Sequence, residues 1–309
     1  MTKRDESPSS PEEGPPDSPS SVTPLRRIAI QGEAGSYSDI VAQHLGYGPI
    51  TVLPCRNFDD AFVLLENGSV DSAALPIENT LAGSIHRNYD LMLAHEFHIV
   101  RELHLHIQHQ LIAHPESNLE DIRRVVSHPV ALAQCEQFFQ DHPSLERSAT
   151  DDTSGAVREV WESGSRETAA IASRRSAGVH GMKILRGDIS DHTENYTRFF
   201  ELVKPPEGAK VSDVASDRAD KMTAVFAMPN RPASLWKCLS TFALRDVDLT
   251  RIESRPYPGR PWQYVFYVDF LGHSADPVVQ RALGHLGECT DLLRVLGCYE
   301  RLGGISETA

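Results

Sequence analysis

Positive charge is scarce in this chain. The sequence has 30 Lys and Arg against 43 Asp and Glu, a formal net charge of −13 over 309 residues. The summed field therefore repels nucleic acid and anionic lipid, and an anionic ligand must be held by a local device. No apolar run approaches the roughly 20 residues of a membrane-crossing helix, which argues against a membrane partner. The five cysteines (Cys55, Cys135, Cys238, Cys289, Cys298) are odd in number and form no CxxC pair. Neither a disulfide framework nor a zinc site is indicated, and a reducing, cytoplasmic compartment is expected. A GxGxxG dinucleotide fingerprint is also missing, so no nucleotide cofactor is suggested.

Composition divides what is present into segments. Residues 1–25 hold six Pro and six Ser among acidic residues. Such a segment buries too little apolar surface to offset its ordering entropy, so a disordered tail is expected, and it lacks the Arg-rich or apolar character of a targeting signal. Residues 26–204 alternate short apolar strands with helical patterns, an α/β reading. Pro, Gly and charge interrupt that pattern over 205–221, the expected linker, before a further domain at 222–302 and a short tail at 303–309. Within the first domain, ENGSVDSAAL at 66–75 recurs as ESGSRETAAI at 162–171, with five of ten positions identical. Each copy is a helix that ends at a glycine and turns into a small-residue strand. The economical inference is two similar α/β lobes with a cleft between them, because open α/β sheets bind ligands beyond the carboxyl ends of their strands. Chance likeness of two generic helix–turn–strand units is the alternative.

Four segments place polar groups at such strand ends. GEAGSYS at 32–38 follows a strand and precedes a helix; the backbone N–H groups of Gly35 and Ser36 suit an anion, or the segment is a plain helix start. LPIENTLAGSI at 75–85 concentrates Glu78, Asn79, Thr80 and Ser84 in one turn, where Asn and Thr serve equally as caps. SHPVALAQC at 127–135 reads strand, turn, helix, with Pro129 at a first helical position and Ser127 expected to face the cleft. NYTRFF at 195–200 opens an aromatic strand that carries Thr197, Arg198 and Phe199. Arg198 suits a bidentate grip on a carboxylate, or is an ordinary surface arginine. His104, His106 and His109 of HLHIQH have no carboxylate or cysteine at ligand spacing and are read as solvated or core histidines, with no metal. Cys135 sits in an apolar helical run and reads as core.

Taken together, QGEAGSYS at 31–38, LPIENTLAGSIHRNYDLM at 75–92, SHPVALAQC at 127–135 and AAIASRRSAGVHGMKILRGDISDHTENYTRFF at 169–200 resemble the prephenate dehydratase family. The wording of GSIHRNYDLM and FALRD is also similar to arogenate dehydratases. The resemblance spans about 28–302 and implies a two-lobed catalytic domain like that of periplasmic binding proteins. It also implies a C-terminal ACT regulatory module, for which residues 222–302 read β-α-β-β-α-β, a ferredoxin-like order.

The resemblance further implies a small-molecule substrate, prephenate or arogenate, and no cofactor. Thr197 corresponds to the family's key hydroxyl, Asn79 to the Asn of its IEN segment, and Ser127 and Gln134 to polar residues of its SHP region. Phenylalanine is implied as an effector at Ala233, Ser234 and Leu235 together with Glu253, Ser254, Arg255 and Pro256, and the chain as a homodimer or homotetramer. Pro232-Ala233-Ser234-Leu235 departs from the family's usual Pro-Gly-Ala-Leu, losing a glycine that allows close backbone approach. A non-catalytic amino-acid sensor is the rival reading, because the two-lobed fold alone serves either purpose.

Overall fold

The computed structural model describes residues 25–306; the tail expected at the N-terminus lies outside them but for Leu25, and residues 307–309 also lie outside. The first lobe begins with β1 (Arg26–Gln31), α1 (Tyr37–Gln43), β2 (Ile50–Cys55), α2 (Phe58–Glu66) and β3 (Ser72–Asn79). It continues through β4 (Gly83–Ser84), α3 (His86–Ala94) and β5 (His98–His106). The chain then crosses to a second lobe, made of β6 (Gln110–Ala113), β7 (Arg124–Ser127), α4 (Pro129–Ala133), α5 (Glu136–Asp141) and β8 (Glu146–Ala149). That lobe is completed by α6 (Thr153–Ser163), β9 (Thr168–Ala172), α7 (Arg174–His180) and β10 (Lys183–Arg186). A return strand, β11 (Tyr196–Val203), lies in the first lobe between β5 and β3.

The sequence repeat marks equivalent units. In the first lobe β1 pairs in parallel with both β2 and β3, and in the second β7 pairs in parallel with β8 and β9. Both lobes thus carry the order 2-1-3 of a βαβαβ unit, with helices α2 and α6 leading into the innermost strands. Local chemistry starts these helices where the sequence suggests: Asn57 and Asp152 accept backbone N–H bonds as N-caps of α2 and α6, and Pro129 opens α4. Strand β3 is buried over Ser72–Ile77 and only half-buried at Glu78 and Asn79, where it emerges at the cleft end.

The lobes are held together by the loop after β1. Ser154 and Ser173, at the starts of α6 and α7, donate to the carbonyls of Ala34 (2.7 Å) and Gly35 (2.5 Å). A Cβ at Gly35 would stand 2.6 Å from the Ser176 backbone, and φ there is +85°, so glycine is required twice over.

Between the domains, α8 (Val211–Val214) occupies the expected linker, and Lys221, its expected last residue, already belongs to the buried strand β12 (Lys221–Ala227). There follow α9 (Ser234–Ala243), β13 (Leu249–Pro256), β14 (Tyr264–Leu271), α10 (Pro277–Glu288) and β15 (Leu292–Ile305). The order β13-β14-β12-β15 is that of a ferredoxin-like sheet. Its last strand runs through residues 303–305, expected as tail, because it continues alongside β5 in parallel pairing. The C-terminal sheet is thereby continuous with that of the first lobe, in the order β13-β14-β12-β15-β5-β11-β3-β1-β2. Gly297 marks the join, since a Cβ there would collide with the Ile99 carbonyl.

Candidate active site

A cavity of about 590 Å³ opens between the lobes, walled by the end of β3, the start of β11, the start of α1 and the turn after β7. Thr197 and Asn79 are direct partners across β11 and β3. Asn79 Nδ2 donates to Thr197 Oγ1 (2.9 Å) and to Asn195 Oδ1 (2.7 Å), while Asn79 Oδ1 accepts from the backbone N–H groups of Leu81 (3.0 Å) and Ala82 (2.8 Å). The Asn79 amide is thus fixed in one orientation. Thr197 Oγ1 accepts from it, and among the described residues no acceptor takes the Thr197 proton. That proton is available to a ligand in the cavity.

The network continues into the second lobe. Asn195, fully buried, donates through Nδ2 to Gln134 Oε1 (3.0 Å), which also lies 2.8 Å from His109 Nε2; His109 Nδ1 is 2.8 Å from the Tyr37 hydroxyl. Burial lowers the His109 pKa, against the opposing pull of Gln134 and Asp188. Sequence reasoning missed Asn195 and Tyr37, and it left His109 as a solvated or core histidine. Being buried, that ring does satisfy its hydrogen bonds, but with residues of the cleft.

Several expected site residues face elsewhere, for one physical reason. Side chains alternate across a strand, so two neighbours cannot serve the same face. Thr197 and Phe199 line the cleft. Arg198 between them is buried on the opposite face: its Nε donates to Glu102 (2.8 Å) and its Nη1 to Asp269 (2.6 Å). It grips protein carboxylates, not a substrate carboxylate. Glu78, beside Asn79, likewise turns away from the cleft, and Arg251 Nε stands 2.6 Å from its carboxylate. Ser127 is fully buried and donates to the Ile171 carbonyl (2.6 Å), tying β7 to β9 instead of facing the cleft; its neighbour His128 is on the cleft wall. Thr80 bridges Glu194 and Tyr196 outside the cavity.

The anion-binding expectation for the loop after β1 also fails. The Gly35 N–H donates to Asp39 (2.8 Å) and that of Ser36 to the Glu33 carbonyl (3.0 Å), so both donors are taken. Ser36 is on the cleft wall, with its hydroxyl oxygen accepting from the Asp39 N–H (3.3 Å). Arg56 is the sole Arg or Lys on that wall among the described residues, and Asp151 and Asp152 contribute carboxylates from the second lobe. None of the three was anticipated; the Asp-Asp-Thr-Ser run signals a helix start, which Asp152 does serve.

Two of the residues expected to hold an effector, Glu253 and Arg255, meet the first lobe. Ser84, on the cleft wall, donates to Glu253 (2.8 Å) and accepts from Arg251 (2.7 Å), and Arg255 forms a two-pronged pair with Asp90 of α3 (2.9 and 3.2 Å). Ala233, preceding Ser234 and Leu235 of α9, holds φ +64°, so the turn keeps a glycine-like backbone despite its Cβ.

Beneath the cleft, Arg198 belongs to a dry ionised cluster. Lys221 Nζ reaches both Glu102 oxygens (3.0 Å each), and Thr223 binds Asp269 and the Tyr299 hydroxyl (2.7 Å each). Burial alone would raise the Glu102 pKa, but His104, Arg198 and Lys221 outweigh it and hold the carboxyl at about 2. Among the described residues, no cluster of three His, Cys, Asp or Glu stands close enough to hold a metal ion.

This arrangement has known counterparts. The family model of prephenate dehydratase matches residues 28–207. A chloroplastic arogenate dehydratase/prephenate dehydratase of Arabidopsis thaliana is 44% identical over 88% of this chain and 72% of its own length. A solved prephenate dehydratase from Arthrobacter aurescens in complex with L-Phe aligns with TM-score 0.79 and 31% identity, over 89% of this chain and 90% of that one. A structure described as a novel type of quorum quenching acylase aligns with TM-score 0.81 and 33% identity, over 89% of this chain and 98% of the other. The expectation of a cytoplasmic compartment is overturned by the relatives: the Arabidopsis protein at 44% identity and three more at 41–42% are named chloroplastic. Cysteine usage reports only a reducing environment, which does not distinguish compartments. The chain belongs to the prephenate dehydratase family and is an arogenate or prephenate dehydratase of phenylalanine biosynthesis.

Proposed function

We propose that Thr197 is the hydrogen-bond donor to the departing hydroxyl, and that arogenate is the better of the two substrates. Each substrate is a cyclohexadiene with a ring carboxylate and, on the opposite ring carbon, a hydroxyl. The bond to the carboxylate breaks, its electron pair enters the ring as CO₂ departs, and the hydroxyl leaves with the electrons of its C–O bond and takes a proton from solvent to become water. Aromatisation drives the step, so the protein has to stabilise the leaving oxygen and hold the ring. The observation that carries this reading is the Asn79–Thr197 contact of 2.9 Å, in which a pinned amide occupies a lone pair of Thr197 and turns its O–H toward the cavity. A threonine hydroxyl is too weak an acid to lose its proton outright, so it polarises the leaving oxygen within the network. A single preorganised donor to a developing negative oxygen is worth ~10²–10³-fold in kcat.

The preference for arogenate rests on charge. Arogenate carries an ammonium where prephenate has a ketone, and Asp151 and Asp152 stand on the cleft wall opposite a single arginine, Arg56. A carboxylate beside the side chain favours the aminated substrate and disfavours the more anionic one. Curated relatives at 42% identity bearing the name arogenate dehydratase support the same choice. For an acylase reading, the cleft hydroxyl of Thr197 meets an amide and not a base, and His128 Nδ1 accepts the Val130 N–H (3.2 Å).

Rates measured side by side on prephenate and arogenate test this reading. Arogenate is expected to be turned over faster, and Asp151→Asn to shift the kcat/KM ratio toward prephenate by roughly 10-fold, the order of one weakened charge contact. Equal ratios before and after the substitution would remove Asp151 from specificity. For the C-terminal domain, its ferredoxin-like order supports an ACT module, and the L-Phe complex of the Arthrobacter protein supports phenylalanine as effector.

A further inference from the structure

We infer that His109 is a positioning residue for the dehydration, acting through Gln134, whose amide it turns so that the NH₂ group is offered to the cleft. The inference deepens the reading of Thr197 given above and rests on it.

An amide has two chemically different ends of nearly the same shape, and what it offers a ligand depends on which end its neighbours claim. Asn195 settles the matter from one side. Its Oδ1 accepts from Asn79 Nδ2 (2.7 Å), so the end it directs at Gln134 is the donor Nδ2, and the Gln134 atom that receives it is Oε1 (3.0 Å). The orientation of Asn79 is set in turn by two backbone N–H groups on its carbonyl. His109 acts from the other side: its Nε2 lies 2.8 Å from the same Gln134 oxygen and must carry a proton to bind it. Nδ1 is then the bare nitrogen, 2.8 Å from the Tyr37 hydroxyl, whose single proton is shared between it and the Gln108 carbonyl at 3.0 Å.

His109 is only 2% exposed, so water does not compete for these bonds. With Oε1 claimed twice, the Gln134 NH₂ is the end left on the cleft wall. A donor there complements the Thr197 hydroxyl, and both are aimed by neutral groups that require no counter-ion. Without the Nε2–H, only Asn195 restrains the amide, and a rotated Gln134 would present its carbonyl to an anionic substrate.

Glutamine and asparagine at position 109 separate this role from simple filling of space. A glutamine places its amide nitrogen near the position of Nε2, and an asparagine places its own near Nδ1. His109→Asn should lower kcat by about 10²-fold with little change in KM, the scale of a misplaced catalytic contact. His109→Gln should restore most of the rate. In a Gln134→Ala background His109→Asn should cost nothing further, because the group it positions is gone. Additive losses, or a fully active His109→Asn, would overturn the inference.

The imidazole ¹⁵N spectrum of histidine-labelled protein provides a test without turnover. The resonance pair that moves in folded Gln134→Ala should show a protonated Nε2 and a bare Nδ1, and the opposite tautomer would overturn the inference whatever the turnover or folding of the position-109 variants. An enzyme with that tautomer but no turnover of either substrate would refute the dehydratase chemistry proposed above and leave the orientation of Gln134 standing.

Discussion

The two faces of β11 differ in kind. On the cleft side, Thr197 is joined to Asn79, Asn195, Gln134 and His109 by neutral hydrogen bonds of 2.7–3.0 Å. On the other, one residue along, Arg198 is clasped by Glu102 and Asp269, with Lys221 completing a cluster of four charges, each residue less than 10% exposed. Neutral amides and hydroxyls can be aimed by their fixed donor and acceptor ends, so they direct a proton at a leaving group without binding a counter-ion. Buried charges are tolerated only when fully paired, and their value here lies in joining parts: Glu102 is on β5, Arg198 on β11, and Lys221 and Asp269 belong to the C-terminal sheet. A single strand thus separates directed chemistry from the joint between domains by one peptide unit.

The sharpest test of this contrast acts on both sides of the strand. Thr197→Ala is expected to lower kcat by ~10²–10³-fold while leaving KM and thermal stability close to wild type, and Thr197→Ser should recover part of the rate. Loss of stability in Thr197→Ala would blur the division. Arg198→Met should do the reverse at the level of folding, destabilising the protein by about 3–5 kcal/mol in urea unfolding, since it leaves Asp269 buried with a hydroxyl as its remaining partner. Arg198→Lys should lie between the two, keeping the charge but losing the fork that reaches both carboxylates.

Acid should dismantle the charged face first. The folded protein holds the Glu102 carboxyl at about 2, below its ordinary value of 4.5. The stability this carboxylate contributes is therefore complete above 4.5 and is lost as pH falls from there toward 2. Urea midpoints measured across that window should decline in the wild type and decline less steeply in Glu102→Gln; parallel curves would mean that other carboxylates govern acid unfolding. The smallest effect belongs to Tyr299→Phe. Its hydroxyl meets Thr223 (2.7 Å) and Arg198 (3.3 Å), and its removal should cost about 1 kcal/mol with no change in kcat. A fall in kcat there would show that the charged face reaches the chemistry through the strand.

Much of the fold is visible in local pattern. The strand–helix alternation, the glycine-ended repeat at 66–75 and 162–171, and the ferredoxin-like order of the last domain all depend on near neighbours in sequence. At the site, Thr197, Asn79 and Gln134 were legible and do converge on one cleft. Arg198, Glu78 and Ser127 were assigned to the wrong face. A strand's period of two says that neighbours oppose each other, but not which of two polar neighbours looks into the cleft when both faces of a central strand are covered. His109 and Asn195 were passed over for a related reason, since their roles lie in partners 25 and 61 residues away, at Gln134.

By itself the sequence determined the order of helices and strands and pointed to two similar lobes, because capping, periodicity and turn geometry act over a few residues; its resemblance to a known family is what singled out the hydroxyl and amides as candidates for the chemistry. Only the tertiary structure decided that β15 runs on beside β5, so that two domains share one sheet, and that a histidine of one lobe orients an amide beside the threonine of the other. Those outcomes depend on strand register and on hydrogen bonds across docked lobes, and both are settled by burial on all sides at once.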